Sequence, residues 1–242
     1  GISFSGFSQI ATAATHPPHL AAVAPLSFVG SLYDLAHPGG IFNDGFAKSW
    51  MADRVKSARP APHPDAMPYA NELVRTDPIC RDNQSLRLQT RDGDAMIRSE
   101  EFDVGVYPRR DFREGMADIE VPTFASLQFE DEETSSYAIL SSQDLLDAND
   151  RVWLHLSSGH HRDAVTPETI TQLMEFLDIY VAQRPPQPKL LIHLLSDVIF
   201  GEGSVAPPLT TILTDSLDDA RRRFEARPRV QVLLELAEGA NE

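Results

Sequence analysis

Three kinds of side chain that together can carry out acyl transfer lie far apart in this sequence of 242 residues. Ser3 stands in the glycine-flanked segment Gly1–Gly6, Asp131 belongs to an acidic run, and His160 and His161 are adjacent. A serine hydroxyl is a weak nucleophile near neutral pH, so an imidazole must take its proton. The imidazole needs a carboxylate that fixes its tautomer and stabilises its charged form. These residue types therefore predict nucleophilic catalysis, provided that the fold brings them together.

The segment around Ser3 has the composition of a nucleophile elbow. In such an elbow the serine occupies a sharp strand-to-helix turn, and small neighbours let another backbone pass close by. Gly1, Ser5 and Gly6 lie within three residues of Ser3, and small residues continue into a predicted helix that ends at His16-Pro17-Pro18. The backbone N–H of Phe4 would then donate a hydrogen bond to an oxyanion. A glycine–serine turn that only caps a helix has the same composition, so this alternative stays open.

Strands and helices alternate along most of the chain and would position these residues. Short apolar or β-branched runs predict strands over residues 20–26, 119–128, 151–156 and 230–236. Helical spacing of apolar residues predicts helices over residues 46–55, 70–74, 137–147 and 209–226, and one that begins at Thr166-Pro167. Strands that alternate with helices in this way predict a parallel α/β sheet with right-handed crossovers.

Functional groups of a parallel sheet lie on the loops that follow the carboxyl ends of its strands. Asp131 follows the strand predicted over 119–128, and the histidine pair follows the strand predicted over 151–156. The chain order serine, aspartate, histidine is that of the α/β-hydrolase triad. The acidic and histidine segments also have simpler interpretations: a solvated loop, a pair of turn histidines, or a metal cluster formed with His155.

The charge balance and the single cysteine exclude several function classes. Asp and Glu number 36 against 21 Lys and Arg, and the resulting charge of −15 argues against binding to nucleic acids or anionic membranes. One cysteine, Cys80, cannot form a disulfide within the chain or a multi-cysteine zinc site. No apolar run reaches the length of a membrane span, about 18 residues. We therefore expect no nucleic-acid or membrane partner and favour the cytoplasm, and a homo-oligomer stays open.

Several motifs occur in an order and spacing that one family shares. The elbow Gly1–Gly6 is followed by Gln9, and a Val-Pro pair precedes Asp131, its proline lying nine residues before the aspartate. The segment Ser158–Asp163 contains a Gly-x-His-x-Asp pattern in which His161 is the histidine. In these motifs the chain resembles the CocE/NonD hydrolases, the group that contains cocaine-esterase-like enzymes and X-Pro dipeptidyl-peptidases.

The resemblance implies an α/β-hydrolase fold with a helical cap insertion and a Ser-His-Asp triad. Ser3 would be the nucleophile, Asp131 the acid and His161 the base, with His160 as the alternative base. The backbone N–H of Phe4, which stands where the family usually has tyrosine, would be an oxyanion donor. The resemblance implies no cofactor and no metal.

The change of character from Ala47 to about Asp118, where short helical patches and many charges replace β-branched runs, predicts a division of the chain that agrees with the resemblance. The α/β-hydrolase core would occupy residues 1–46 and 119–184, with the cap at residues 47–118 between them. Residues 185–242 would form a linker and the approach to the jelly-roll β domain that ends members of the family. The strands that precede the elbow would lie upstream of Gly1, so we expect a fragment. Made alone, such a chain should expose an apolar sheet edge and aggregate.

We therefore expect a serine hydrolase that cleaves an ester or amide through an acyl-enzyme. Its substrate would be a small acyl ester or amide or an X-Pro-type peptide, and the sequence does not separate an esterase from a dipeptidyl-peptidase. A second hypothesis is a non-catalytic remnant or an interaction module built on the same fold.

Overall fold

The computed structural model describes residues 1–89, 93–98, 111–201 and 203–233. The described residues form two compact units. The first unit combines Gly1–Ser31 with the described part of Phe112–Glu242, and the second unit is the described part of Leu32–Asp111. Each unit buries apolar side chains of its own.

The predicted cap at residues 47–118 is divided between the two units. Its described residues up to Asp111 fall in the second unit, and residues 112–118 fall in the first. Two parts of the predicted cap, residues 90–92 and 99–110, lie outside the described residues.

The helices of the described residues are, in chain order, α1 (Phe4–Ala13), α2 (Leu32–Ala36), α3 (Phe46–Ser57), α4 (Pro68–Thr76), α5 (Pro78–Asp82), α6 (Gly93–Ile97), α7 (Arg113–Met116), α8 (Tyr137–Ala148), α9 (Pro167–Tyr180), α10 (Leu190–Leu194), α11 (Ser196–Phe200) and α12 (Leu217–Glu225). Turns of 3₁₀ helix cover Pro38–Gly40, Asn83–Gln89 and His161–Ala164, and the strands are β1 (Thr123–Gln128), β2 (Val152–Ser157) and β3 (Val230–Leu233). The helices predicted over 46–55, 70–74 and 137–147 are confirmed as α3, α4 and α8. Within the described part of the chain, no helix combines the length and the apolar composition that a bilayer crossing needs.

A parallel sheet forms the centre of the first unit. β2 lies between the other two strands and pairs in parallel with β1 on one side and with β3 on the other. Thr123 stands opposite Val152, and Leu154 stands opposite Val230. The parallel α/β sheet predicted from the sequence is confirmed.

The run over residues 20–26 lies beside β1 but forms single bridges where a continuous strand was predicted. Bridges join it to β1 at Val23 and Leu26, and Leu26 also bridges Ile2, all in parallel. Pro25 stands within the run and has no N–H to donate to a ladder. The sheet thus continues past β1 to the segment that precedes α1.

Helices cover both faces of the sheet, and successive residues of each strand point to opposite faces. Leu154 of β2 belongs to a core shared with α1, α7 and α8, which contribute Ile10, Met116 and Leu145. Trp153 belongs to a second core formed with α9 and α12. The architecture of this unit is therefore a three-layer α/β/α arrangement.

α9 begins where the sequence predicts. Oγ1 of Thr166 accepts a hydrogen bond from the N–H of Thr169 at 3.1 Å, and Pro167 occupies the first turn, where no N–H is needed. Further along the helix, the buried ring of Phe176 packs on Trp153 with 6.1 Å between ring centres. The cap fixes where α9 begins, and Phe176 on this helix packs against Trp153 of β2.

The last strand of the described residues, which we expected to approach a separate β domain, pairs within the parallel sheet. Val230–Leu233 pairs in parallel with β2, and residues 234–236 of the predicted strand lie outside the described residues. A parallel pairing needs a crossover connection, and α12 lies on it. The buried Phe224 of α12 packs edge-on against Trp153 with 4.9 Å between ring centres. This part of the chain thus belongs to the α/β sheet.

The helix predicted over 209–226 is shorter than expected, because a buried carboxylate holds the first part of that segment. Glu175 of α9 is 2% exposed and accepts hydrogen bonds from the backbone N–H groups of Thr211 and Ile212. Backbone groups that bind a side chain are not available to a helical ladder. α12 therefore begins only at Leu217.

The second unit consists mainly of short helices. Ala36 and Ile97 form a small buried cluster that Met51 of α3 joins. Oδ1 of Asp77 caps α5 by accepting hydrogen bonds from N–H groups of its first turn. Cys80 is a half-buried free thiol that packs against a cluster of alanine and valine side chains.

His155 is a buried titratable group in the middle of β2. It is 1% exposed, and its ring lies 4.7 Å from that of Phe124. Burial lowers the pKa of His155 to about 4, and the positive charge of Arg227 acts in the same direction. The ordinary pKa of a histidine is about 6.5. Between these two values the unfolded chain binds a proton that the folded chain does not.

We expect acid to destabilise the fold through His155. As the pH falls from 6.5 to about 4, protonation favours the unfolded state, so the free energy of unfolding should fall by roughly 3 kcal/mol through this group. Urea unfolding across this range measures the loss. In His155→Gln the loss should be smaller by that amount, and an equal loss in both proteins would contradict the prediction.

Candidate active site

Ser3 lies at a sharp turn between a sheet segment and α1. Its backbone has φ 61° and ψ −125°, and residues with a side chain rarely adopt a positive φ. The preceding Ile2 bridges Leu26, and α1 begins at the next residue, Phe4. A serine held at a strained strand-to-helix turn has the backbone geometry of a nucleophile elbow.

Two glycines allow the close approach that this turn requires. A Cβ on Gly1 would lie 2.5 Å from Oγ of Ser5, and a Cβ on Gly6 would lie 2.7 Å from the carbonyl oxygen of Leu26. The same carbonyl accepts a hydrogen bond from the N–H of Ser3 at 2.9 Å. A side chain at Gly6 would therefore push the elbow away from the sheet.

Phe4 is placed to act through its backbone. It is the first residue of α1, and the first N–H groups of a helix have no acceptor within the helix. The positive end of the helix dipole lies at the same point. The side chain of Phe4 is largely exposed. The part of Phe4 that lies beside Ser3 and could act on a substrate is therefore its backbone N–H.

Asp131 is a buried carboxylate in the loop after β1. Its Oδ1 accepts hydrogen bonds from the N–H groups of Glu133 and Thr134, at 2.9 and 2.6 Å. Its Oδ2 accepts a hydrogen bond from Oγ1 of Thr134 at 2.6 Å and lies 2.8 Å from Nδ1 of His161. Burial alone would raise the pKa of Asp131, but the hydrogen bonds from His161 and Thr134 outweigh it and hold the pKa below its ordinary value.

His161 begins the turn after β2, and both of its ring nitrogens face carboxylates. An ionised Asp131 can only accept, so Nδ1 of His161 must carry the proton between them. Nε2 lies 3.3 Å from Oε2 of Glu133. Burial alone would lower the pKa of His161, but the hydrogen bond to Asp131 and the negative charges of Asp131, Glu133 and Glu132 raise it above its ordinary value.

His160 points away from this pair. Its side chain is 67% exposed, and its Nδ1 lies 3.4 Å from Oε2 of Glu132. The chain turns at Gly159, which has φ 126°, and the N–H of His160 donates to Asp163 at 2.7 Å. Of the two candidate bases, the structure brings only His161 to the aspartate.

A buried serine that the sequence did not single out, Ser27, connects the segment around Ser3 to His161. Oγ of Ser27 lies 2.6 Å from Oε1 of Gln128 and 2.9 Å from the carbonyl oxygen of His161. Its neighbour Leu26 carries the carbonyl that accepts from the N–H of Ser3. Ser3 and His161 are thus both held by the same dipeptide. The position of Ser27 directly after a predicted strand is the signal that could have found it.

The hydroxyl of Ser27 has one proton but faces two oxygens. Both contacts become hydrogen bonds if the amide of Gln128 is turned over, so that its nitrogen donates to Oγ of Ser27. Ser27 then donates to the carbonyl of His161, and the hydroxyl of Ser126, 3.1 Å from the amide, donates to the amide oxygen. In this arrangement the hydroxyls of Ser27 and Ser126, the amide of Gln128 and the carbonyl of His161 all have hydrogen-bond partners.

No hydrogen bond joins Ser3 to His161 among the described residues. Nε2 of His161 has no hydrogen-bond partner in the part of the chain that the structure describes, and the carboxylate of Glu133 lies 3.3 Å from it as an ion-pair contact. Catalytic hydrogen bonds are often long without substrate and tighten only during the reaction. The structure therefore pairs two of the three candidate residues, Asp131 and His161, and places Ser3 at the same edge of the sheet.

His155 does not extend this constellation. Its ring packs on Phe124 within the core. His155 lies inside β2, whereas His160 and His161 lie in the loop that follows this strand. His155 is therefore a core residue.

Comparison with known families shows where this arrangement belongs. The family model of the X-Pro dipeptidyl-peptidase (S15 family) matches residues 1–163, which is more than half of the chain and includes Ser3, Asp131 and His161. The chain belongs to the S15 family. Membership in the S15 family confirms the resemblance to the CocE/NonD and X-Pro dipeptidyl-peptidase group. A search of the curated proteins finds no significant match.

Two crystal structures of a CocE/NonD family hydrolase from Staphylococcus aureus have similar folds. They are 18% and 19% identical to this S15-family chain, with TM-scores of 0.50 and 0.51. Each comparison covers 76% of this chain and 28% of the other chain. The likeness confirms an α/β-hydrolase-like fold, and the chain spans little more than a quarter of the length of these structural relatives.

We expect Ser27→Ala to weaken the fold by about 1–3 kcal/mol, because the carbonyl of His161 and the amide of Gln128 would lose a buried partner. The free energy of unfolding in urea measures this cost. Ser8→Ala is a matched control, since it removes an exposed hydroxyl that donates to the carbonyl of Ser5. The control should cost less than about 0.5 kcal/mol, and equal costs in the two variants would contradict a special role for Ser27.

Proposed function

We propose that the protein is a serine hydrolase that forms an acyl-enzyme on Ser3. The observation that carries the proposal is the buried pair of Asp131 and His161 at the sheet edge where the strained Ser3 stands. Membership in the S15 family and the hydrolase fold support the same reaction class.

In the proposed first step, Oγ of Ser3 attacks the acyl carbon while Nε2 of His161 takes the hydroxyl proton. The tetrahedral oxyanion lies at the N-terminus of α1, where the N–H of Phe4 donates to it. His161 then gives the proton to the leaving oxygen or nitrogen, and the acyl-enzyme forms. A water molecule that loses a proton to the same Nε2 then attacks the acyl carbon. As the bond from the acyl carbon to Oγ of Ser3 breaks, His161 gives this proton to Oγ, and the acid is released.

Asp131 remains ionised throughout this cycle. Its hydrogen bonds hold its pKa low, so it orients His161 and stabilises the imidazolium without taking the proton itself. The proton on Nδ1 leaves Nε2 as the reactive nitrogen.

We propose an acyl ester or amide as the substrate, a class that includes the X-Pro peptides in the description of the family. The rates at which the protein cleaves an aryl ester and an X-Pro anilide rank the esterase and dipeptidyl-peptidase alternatives.

A second candidate function is a non-catalytic module on the same fold. The observation that favours it is the contact of Glu133 with Nε2 of His161, which leaves Ser3 without a base in this conformation. Labelling of the serine distinguishes the two candidates.

A fluorophosphonate probe should label the protein on Ser3, because an activated serine attacks phosphorus as it attacks a carbonyl. Mass spectrometry of the labelled peptide measures the site. Ser3→Ala should abolish labelling, whereas Ser5→Ala, two residues away on α1, should retain it. Labelling that survives in Ser3→Ala would refute the assignment of the nucleophile.

His161→Ala should lower kcat/KM for an aryl ester by at least about a thousandfold, because the hydroxyl of Ser3 loses its base. His160→Ala should have nearly the wild-type kcat/KM, since that ring is exposed and its carboxylate contact is with Glu132. Steady-state kinetics of the two variants measures the difference. Similar mild losses in both would mean that neither histidine is the base.

A further inference from the structure

The ring nitrogen on which the proposed reaction depends is also faced by a carboxylate. In His161, Nδ1 is taken by Asp131, so only Nε2 is left to receive the proton of Ser3. Oε2 of Glu133 lies 3.3 Å from this Nε2, and the side chains of His161 and Glu133 are 5% and 24% exposed. The carboxylate and the serine hydroxyl therefore compete for one atom.

The contact of Glu133 with Nε2 is favourable only while the ring is doubly protonated. A neutral ring with its proton on Nδ1 presents a lone pair at Nε2, and a carboxylate also presents only lone pairs. An imidazolium donates a charge-assisted hydrogen bond from Nδ1 to Asp131, and its positive charge forms an ion pair with Glu133, whose Oε2 lies 3.3 Å from Nε2. The position of His161 between Asp131 and Glu133 thus favours the charged ring, which cannot accept a proton from a serine.

The other charged groups around the ring act in the same direction. The carboxylate of Glu132 accepts a hydrogen bond from the backbone N–H of His161 at 3.0 Å. His160 can carry a positive charge, but its ring faces Glu132. Burial opposes the charged ring of His161, and the three carboxylates of Asp131, Glu133 and Glu132 outweigh it, so the pKa of His161 is raised.

We propose that Glu133 is a positioning residue that competes with Ser3 for Nε2 of His161 and holds the base in its protonated form. This inference rests on the proposed function, in which Ser3 and His161 are the nucleophile and the base. The backbone of Glu133 is fixed, because its N–H donates to Oδ1 of Asp131. Its side chain is partly exposed, so rotation about side-chain bonds is enough to carry the carboxylate into solvent.

Deprotonation of the ring releases Glu133. As the pH rises through the pKa of His161, the carboxylate meets a lone pair in place of an N–H, and the attraction becomes repulsion. The side chain of Glu133 then leaves, and the hydroxyl of Ser3 takes its place at Nε2.

An NMR titration of the His161 ring tests the contact without relying on activity, with His161→Gln to assign the signal. Glu133→Gln removes the charge and keeps the shape of the side chain, and its amide can donate to the neutral ring. We expect the pKa of His161 to fall by about one unit in this variant. Glu130→Gln removes a carboxylate from the same acidic run and should leave that pKa unchanged. An equal pKa in the wild type and in Glu133→Gln would overturn the proposal.

The pH dependence of kcat/KM separates this proposal from the proposed function. In Glu133→Gln the rise of activity with pH should move to lower pH by the same amount, which gives about tenfold higher activity on the acid side of the profile. An active enzyme whose profile does not move would overturn the proposal. A protein with no hydrolase activity whose His161 pKa still falls in Glu133→Gln would overturn the proposed function and support the contact.

Discussion

The register between β1 and β2 determines where the candidate site forms. The two strands pair up to their last residues, Gln128 with Ser157, and backbone hydrogen bonds continue into both loops as far as Gly159. The loops therefore leave the sheet side by side, and this brings Asp131 to His161. A slip of one residue would turn each following side chain to the opposite face and separate the pair.

The elbow depends on the neighbouring backbone in a similar way. A positive φ at a serine costs about 1–3 kcal/mol and persists only where the surroundings enforce it. Leu26 provides that support, because its N–H donates to Gly1 and its carbonyl accepts from Ser3. Gly6 lets α1 approach this backbone closely. Leu26 thus helps to position Ser3, the proposed nucleophile, and the next residue, Ser27, helps to position His161, the proposed base.

The sequence predicts the features that are encoded locally. The apolar runs of β1 and β2 and the cap of α9 at Thr166 are local signals, and the family and the α/β-hydrolase fold are confirmed. The pairing of β3 could not be predicted, because its partner lies more than 70 residues away in the sequence. The Gly-x-His-x-Asp motif favours His161 over His160, but its contact with Asp131 is set by the turn at Gly159, and the place of Glu133 depends on how two loops meet. Neither loop geometry has a periodic pattern that a sequence reveals.

The burial of His155 has a consequence for the order of events in acid. His161 gains its proton readily between carboxylates, whereas His155 resists protonation inside β2. If His161 is the base, acidification charges it at a higher pH than the range in which the fold begins to weaken. Turnover would stop while the chain is still folded, and it would resume when the medium is neutralised. Mild acid would thus inhibit this protein reversibly at a pH above the range in which acid unfolds it.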